Sequence, residues 1–140
     1  MKKFLLILVL SGLLSGCSSS LSYSQVEKKD VKQEIQSFIS DLEYENGVNV
    51  YFDSEKGVYV YLNRANVKQG ESAFYITDFD VAENGDTLQI IYNTETTTDY
   101  TNHYLDRELL YKVNVNKKYE YLKAYSNGKE VEFNIISGNE

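Results

Sequence analysis

The chain has 140 residues, 14 basic against 21 acidic, and a formal net charge of −7 at pH 7. That length suits one domain rather than two, and the acidic excess argues against a nucleic-acid partner, because affinity for polyanions comes mainly from Lys and Arg. With one cysteine and one histidine, an intrachain disulfide and a multi-ligand Cys/His zinc site are excluded.

Residues 1–16 read as a signal peptide. Lys2 and Lys3 make a positive start, Phe4 to Leu10 is an unbroken apolar run, and Ser11, Gly12, Leu13 and Leu14 extend it. The layout is that of a secretory signal, too short to span a bilayer as a stable helix. Its ending, Leu14-Ser15-Gly16-Cys17, resembles the lipobox of bacterial lipoproteins. The resemblance implies diacylation of the Cys17 thiol, cleavage before Cys17, and further acylation of the new amino terminus. The protein is then held by acyl chains on the extracytoplasmic face of the cell membrane. One chain holds only marginally, whereas two or three make a lasting anchor. The competing readings are an ordinary secretory signal with a chance cysteine, or an uncleaved anchor. Once Cys17 is lipidated, no thiol remains for catalysis or metal binding, and no cofactor or metal is expected. Removal of residues 1–16 takes away Lys2 and Lys3 and no acid, so the mature part is more acidic still.

Residues 17–24, rich in serine, read as a lipidated tether, since such a segment buries no core. A single domain is expected over 25–140. Ser24 and Glu27 match a capping box, and Val31, Ile35, Phe38, Ile39 and Leu42 then form one apolar stripe with a charged opposite face. Asn46-Gly47 ends this helix. From Val48 the period becomes two. Val48, Val50 and Phe52, then Val58, Val60 and Leu62, alternate with polar or tyrosine positions around a turn at 53–57. This pattern predicts a hairpin with one aliphatic and one tyrosine face. Asn63 to Ser72 is a polar loop. Ala73–Val81 and Thr87–Thr94 flank the strong Asn84-Gly85 hairpin signal. A polar loop over 94–103 leads to a strand at Glu108–Val115. A last hairpin, Tyr119–Tyr125 with Glu130–Ile136, turns at Asn127-Gly128, and 137–140 form a tail.

The fold class is thus mainly β (α+β), with an N-terminal amphipathic helix followed by about seven antiparallel strands. The strands form either a single sheet or a small sandwich resembling immunoglobulin-like domains, and the short turn spacing supports the sandwich.

The 13 tyrosines are the most conspicuous functional candidates. Tyr51, Tyr59 and Tyr61 share one side of the first hairpin. Together with Tyr100 and Tyr104 near the long loop they make a possible binding surface, flat and rigid with a polar edge, suited to an envelope protein or wall glycan. Strand preference alone also predicts this pattern, with tyrosines that cover a sheet face or meet a helix, and it is the favoured reading. Asp78, Asp80, Glu83 and Asp86 are oxygen-rich, yet Ala82 and Glu83 stand where the calcium-loop pattern needs an acid or amide and a glycine. His103 is the one candidate general base by ordinary pKa, but no Gly-x-Ser-x-Gly elbow accompanies it. The expectation is therefore a non-enzymatic binding or assembly module. The alternative is a small envelope hydrolase using carboxylates or His103.

Overall fold

The computed structural model describes residues 21–54 and 57–139. Cys17, the signal peptide expected over 1–16 and residues 18–20 lie outside them. The elements, in chain order, are β1 (Ser22–Val26), a 3-10 turn (Lys28–Asp30), α1 (Gln33–Asp41), β2 (Gly47–Asp53), β3 (Gly57–Asn63), β4 (Ala73–Asn84), β5 (Thr87–Thr97), β6 (Glu108–Asn114), β7 (Tyr121–Ser126), β8 (Lys129–Val131) and β9 (Ile135–Asn139). They form a five-stranded sheet of order β1-β6-β3-β2-β9 and a four-stranded sheet of order β4-β5-β7-β8. The fold is mainly β with a helix near its start, as the change of period predicts.

Several boundaries differ from expectation. Residues 22–24, expected in the tether, belong to β1, which pairs antiparallel with β6 from Ser22 opposite Asn114 to Val26 opposite Leu110. Tyr23 explains this. Its ring meets Phe79 edge-on at 5.2 Å and Tyr111 at 6.0 Å, and its hydroxyl donates to the Phe79 carbonyl at 3.0 Å. Ser24 is therefore a strand residue and caps nothing; α1 starts at Gln33 after Lys32, without a side-chain cap. The expected strand Glu130–Ile136 divides into β8 and β9, because the chain crosses from one sheet to the other between them. With β1 this raises the strand number to nine among the described residues. Both sheets are mixed, since β9 runs parallel to β2 and β7 parallel to β5. Gly138 permits the close approach of β9: its φ is +116°, and a Cβ there would collide with the Phe52 backbone.

The five-stranded sheet is the middle of three layers. On one face Val50, Val60 and Val113 meet Ile76, Leu88 and Ile90 of the second sheet, and Phe79 stacks on Tyr111 at 3.7 Å. On the other face Tyr51, Tyr59, Tyr61 and Leu110 receive Ile35, Phe38, Ile39 and Leu42. Nine residues are too few for a helix to persist alone in water, so this burial holds α1 in place. Every residue of β3 is buried.

Two buried asparagines stitch the layers together. Asn49 donates to the Tyr61 carbonyl at 3.2 Å and accepts from Asn134 at 2.9 Å. Asn63 donates to the Leu42 and Glu43 carbonyls at 3.1 and 3.2 Å and accepts from the Ala65 amide at 2.9 Å, which closes the end of α1 onto β3. Asn63→Ala leaves the Leu42 carbonyl and the Ala65 amide without these partners. It is expected to cost about 1–3 kcal/mol, the penalty for an unsatisfied buried polar group. Urea unfolding measures it, and an unchanged midpoint would contradict this role.

Candidate functional site

Register defines two ends of the middle sheet. At one, Ser22 lies opposite Asn114, Asn114 opposite Gly57, and Gly57 opposite Asp53; here the chain enters the fold. At the other, beyond Val26, Asn63 and Glu108, the loops gather. The end of α1 meets the segment after β3 through Asn63, and the Asn66 amide donates to Asn46 Oδ1 at 3.0 Å. The Arg64 amide donates to the Arg107 carbonyl at 2.7 Å, and the Ile76 amide to the Asp106 carbonyl at 2.7 Å. The Tyr100 hydroxyl donates to the Glu71 carbonyl, and Arg107 Nη2 to the Asp99 carbonyl at 3.2 Å. Inside the loop, Asp99 Oδ1 accepts from the Thr101 amide and hydroxyl, and Asn102 Oδ1 from the Tyr104 amide. Local bonds of this kind hold an irregular segment in one conformation.

Tyr51, Tyr59 and Tyr61 form no open surface. They are 8%, 5% and 3% exposed, lying under α1, with Phe38 and Tyr51 centroids 5.2 Å apart. The expectation of a binding face there is corrected for a physical reason: the helix's apolar stripe needs a sheet face, and the tyrosine rings supply it. Burial pushes all three hydroxyls above the ordinary tyrosine range, with Asp53 adding to the rise for Tyr59. For Tyr61 the hydrogen bond to Glu108 Oε1, 2.9 Å long, adds to it.

Tyr100 and Tyr104 lie on the loop between β5 and β6, 48% and 95% exposed. Because β5 runs on to Thr97, this loop begins at Thr98 rather than at 94. Tyr44, just after α1, is 82% exposed at the same end. It was not among the tyrosines singled out from the sequence, although its place off the apolar stripe that ends at Leu42 is a signal that marks it as outward-facing.

Two shallow hollows open beside these tyrosines. One, about 300 Å³, lies between β1, α1 and β6, with Tyr61 in its floor and Glu27, Glu43 and Glu108 around it. The other, about 290 Å³, is lined by Tyr100, His103, Asp106, Arg107 and Glu108. His103 is exposed there. The buried polar residues are Asn49 and Asn63, among the described residues. Of the acids weighed for calcium, Asp78 accepts from Asn93 at 3.3 Å, while Glu83 and Asp86 face Lys117 at 2.7 and 3.9 Å. The hydrogen bond from Lys117 holds the Glu83 carboxyl below its usual range. No group of three His, Cys, Asp or Glu converges as a metal site among the described residues, and no helix among them is long and apolar enough to cross a membrane.

These features define a mainly β, two-sheet domain roofed by a short helix, with exposed tyrosines on cross-tied segments at one end. Comparison with known proteins gives no matching family model, curated protein or solved structure.

Proposed function

We propose that this chain is a lipoprotein held through Cys17 at the extracytoplasmic face of the cell membrane. Its domain is a non-enzymatic binding module that engages an envelope protein or wall glycan with its loop-bearing end. The observation that carries this reading is the presence of Tyr44, Tyr100 and Tyr104, 82%, 48% and 95% exposed, at the end opposite the chain's entry. Large rings with a polar edge desolvate cheaply, stack on sugars and anchor protein contacts. The bonds that tie the loop to Glu71, Arg64 and Ile76 lower the ordering cost of binding.

The double variant Tyr100→Ala/Tyr104→Ala tests it. Used as bait in solubilised envelope from the source cells, the native chain is expected to retain a partner, protein or glycan, that the variant loses. Circular dichroism should show the variant's sheets intact. An identical set of partners for both baits would refute the assignment of this end.

A further inference from the structure

The described fold begins very close to the proposed anchor. Leu21 is half-buried against the core between the sheets, and β1 starts at Ser22. Ser18, Ser19 and Ser20 alone separate Cys17 from Leu21. Even fully extended, the chain from Cys17 to Leu21 spans only about 14 Å. An acylated Cys17 therefore forces the entry end of the sandwich down to the lipid surface.

That end has its own chemistry. Asn114, level with Ser22, leads into the 115–120 connection, which folds over the β4–β5 turn. Lys117 Nζ donates to the Gly85 carbonyl at 3.0 Å, and the Glu120 and Tyr121 amides donate to the Asp86 carbonyl at 2.9 and 3.1 Å. Tyr121, at the start of β7, is 61% exposed, and Lys117 lies 5.1 Å over the Tyr119 ring. Tyrosine favours the headgroup level of a bilayer, and lysine stems lie along apolar surface while their ammonium reaches phosphate. Lys118, next to Lys117 in the chain, is exposed and makes no ion pair among the described residues.

We infer that the entry end docks on lipid headgroups through Tyr121 and Lys118, so that the domain stands upright with Tyr44, Tyr100 and Tyr104 facing away from the membrane. This orientation rests on the lipid anchoring proposed above. It places the binding end about 25 Å, the length of a seven-residue strand, above the headgroups.

The chain contains no tryptophan, so single-tryptophan variants report position directly. Full-length acylated protein carrying Tyr121→Trp, Lys118→Trp or Tyr104→Trp is reconstituted into phosphatidylcholine–phosphatidylglycerol vesicles containing spin-labelled headgroups. Loss of fluorescence is expected at 121 and 118, with a blue shift, and none at 104. Quenching at 104, or none at 121 and 118, would overturn the orientation. The mass of the same material separates the two claims. An acylated protein with the wrong quenching pattern removes the orientation alone, whereas an unmodified Cys17 removes the anchoring beneath it.

Discussion

Phe38→Ala is expected to destabilise the domain by about 3–5 kcal/mol, the range for emptying a buried phenylalanine site. Phe38 is the largest side chain that α1 lays on the middle sheet, and its ring tilts 58° against Tyr51. Its removal leaves a cavity above Tyr51, and a nine-residue helix has no intrinsic stability with which to close it. Small domains are stable by only about 5–15 kcal/mol, so the loss is a large fraction of the total. The melting temperature should fall by roughly 10–20 °C for a domain of this size. Tyrosine titration gives a second readout. Burial holds the Tyr51, Tyr59 and Tyr61 hydroxyls above the ordinary range in the native fold, because a phenolate is disfavoured away from water. As the roof loosens, Tyr51 and Tyr59 should titrate closer to free tyrosine. Tyr44→Ala, at an exposed site on the same side of the chain, should leave both measurements unchanged. A Phe38→Ala variant with native melting and native titration would show that the helix is not a structural roof.

The same layer explains how far the fold was legible. Alternation through Val48–Phe52 and Val58–Leu62 separates two faces of β2 and β3, and the part of the apolar stripe from Ile35 to Ile39 marks a helix that must bury one side. That helix is shorter at both ends than the expected one, which runs on to Asn46-Gly47. Those local periods are properties of single segments, so they survive in the structure. What covers each face depends on where α1 lands in space, and no short window of sequence contains that. The rings of Tyr51, Tyr59 and Tyr61 serve equally well as an open surface or as a floor for Phe38 and Ile39, and burial of apolar area decides for the floor. Strand β1 was hidden for a related reason. Ser22-Tyr23-Ser24-Gln25-Val26 has period two, but its serines read as linker, and the residue that fixes it, Tyr23, finds Phe79 and Tyr111 only in three dimensions.

At the loop-bearing end the split is similar. The loop itself, with Tyr100 and Tyr104, was legible from its polar composition and length. Its bracing was not, because the bonds that tie it down reach Ile76, Glu71 and Arg64, between 29 and 43 residues back along the chain. Nor was the pairing of Tyr61 with Glu108, 47 residues apart. The entry end was misread in one respect that matters for the reading proposed above. The described fold starts at Leu21 rather than at residue 25, which leaves three residues rather than seven between it and the proposed anchor at Cys17. A long tether would let the domain tumble above the membrane; a short one couples the fold's orientation to the anchor.

Cys17→Ala is expected to abolish acylation and with it retention on the membrane, leaving precursor or released protein. Each buried methylene contributes about 0.8 kcal/mol to membrane affinity, so two or three acyl chains dominate any attachment that side chains provide. What remains in the variant is weak. Tyr121 and Lys118 offer a small contact, and the acidic excess of the chain opposes approach to anionic lipid. The apolar run from Phe4 to Leu14 gives no substitute, being well short of the about 20 residues that a spanning helix needs. Incorporation of labelled fatty acid, followed by membrane fractionation and intact mass, reads the outcome. Native chain should appear in the membrane fraction with a modified amino terminus at Cys17, and Cys17→Ala protein should carry no label. Labelled Cys17→Ala protein would place acylation elsewhere. An unlabelled native chain that still fractionates with membranes would mean that something other than lipid holds this domain at the surface, and both the anchor and the upright orientation derived from it would fall together.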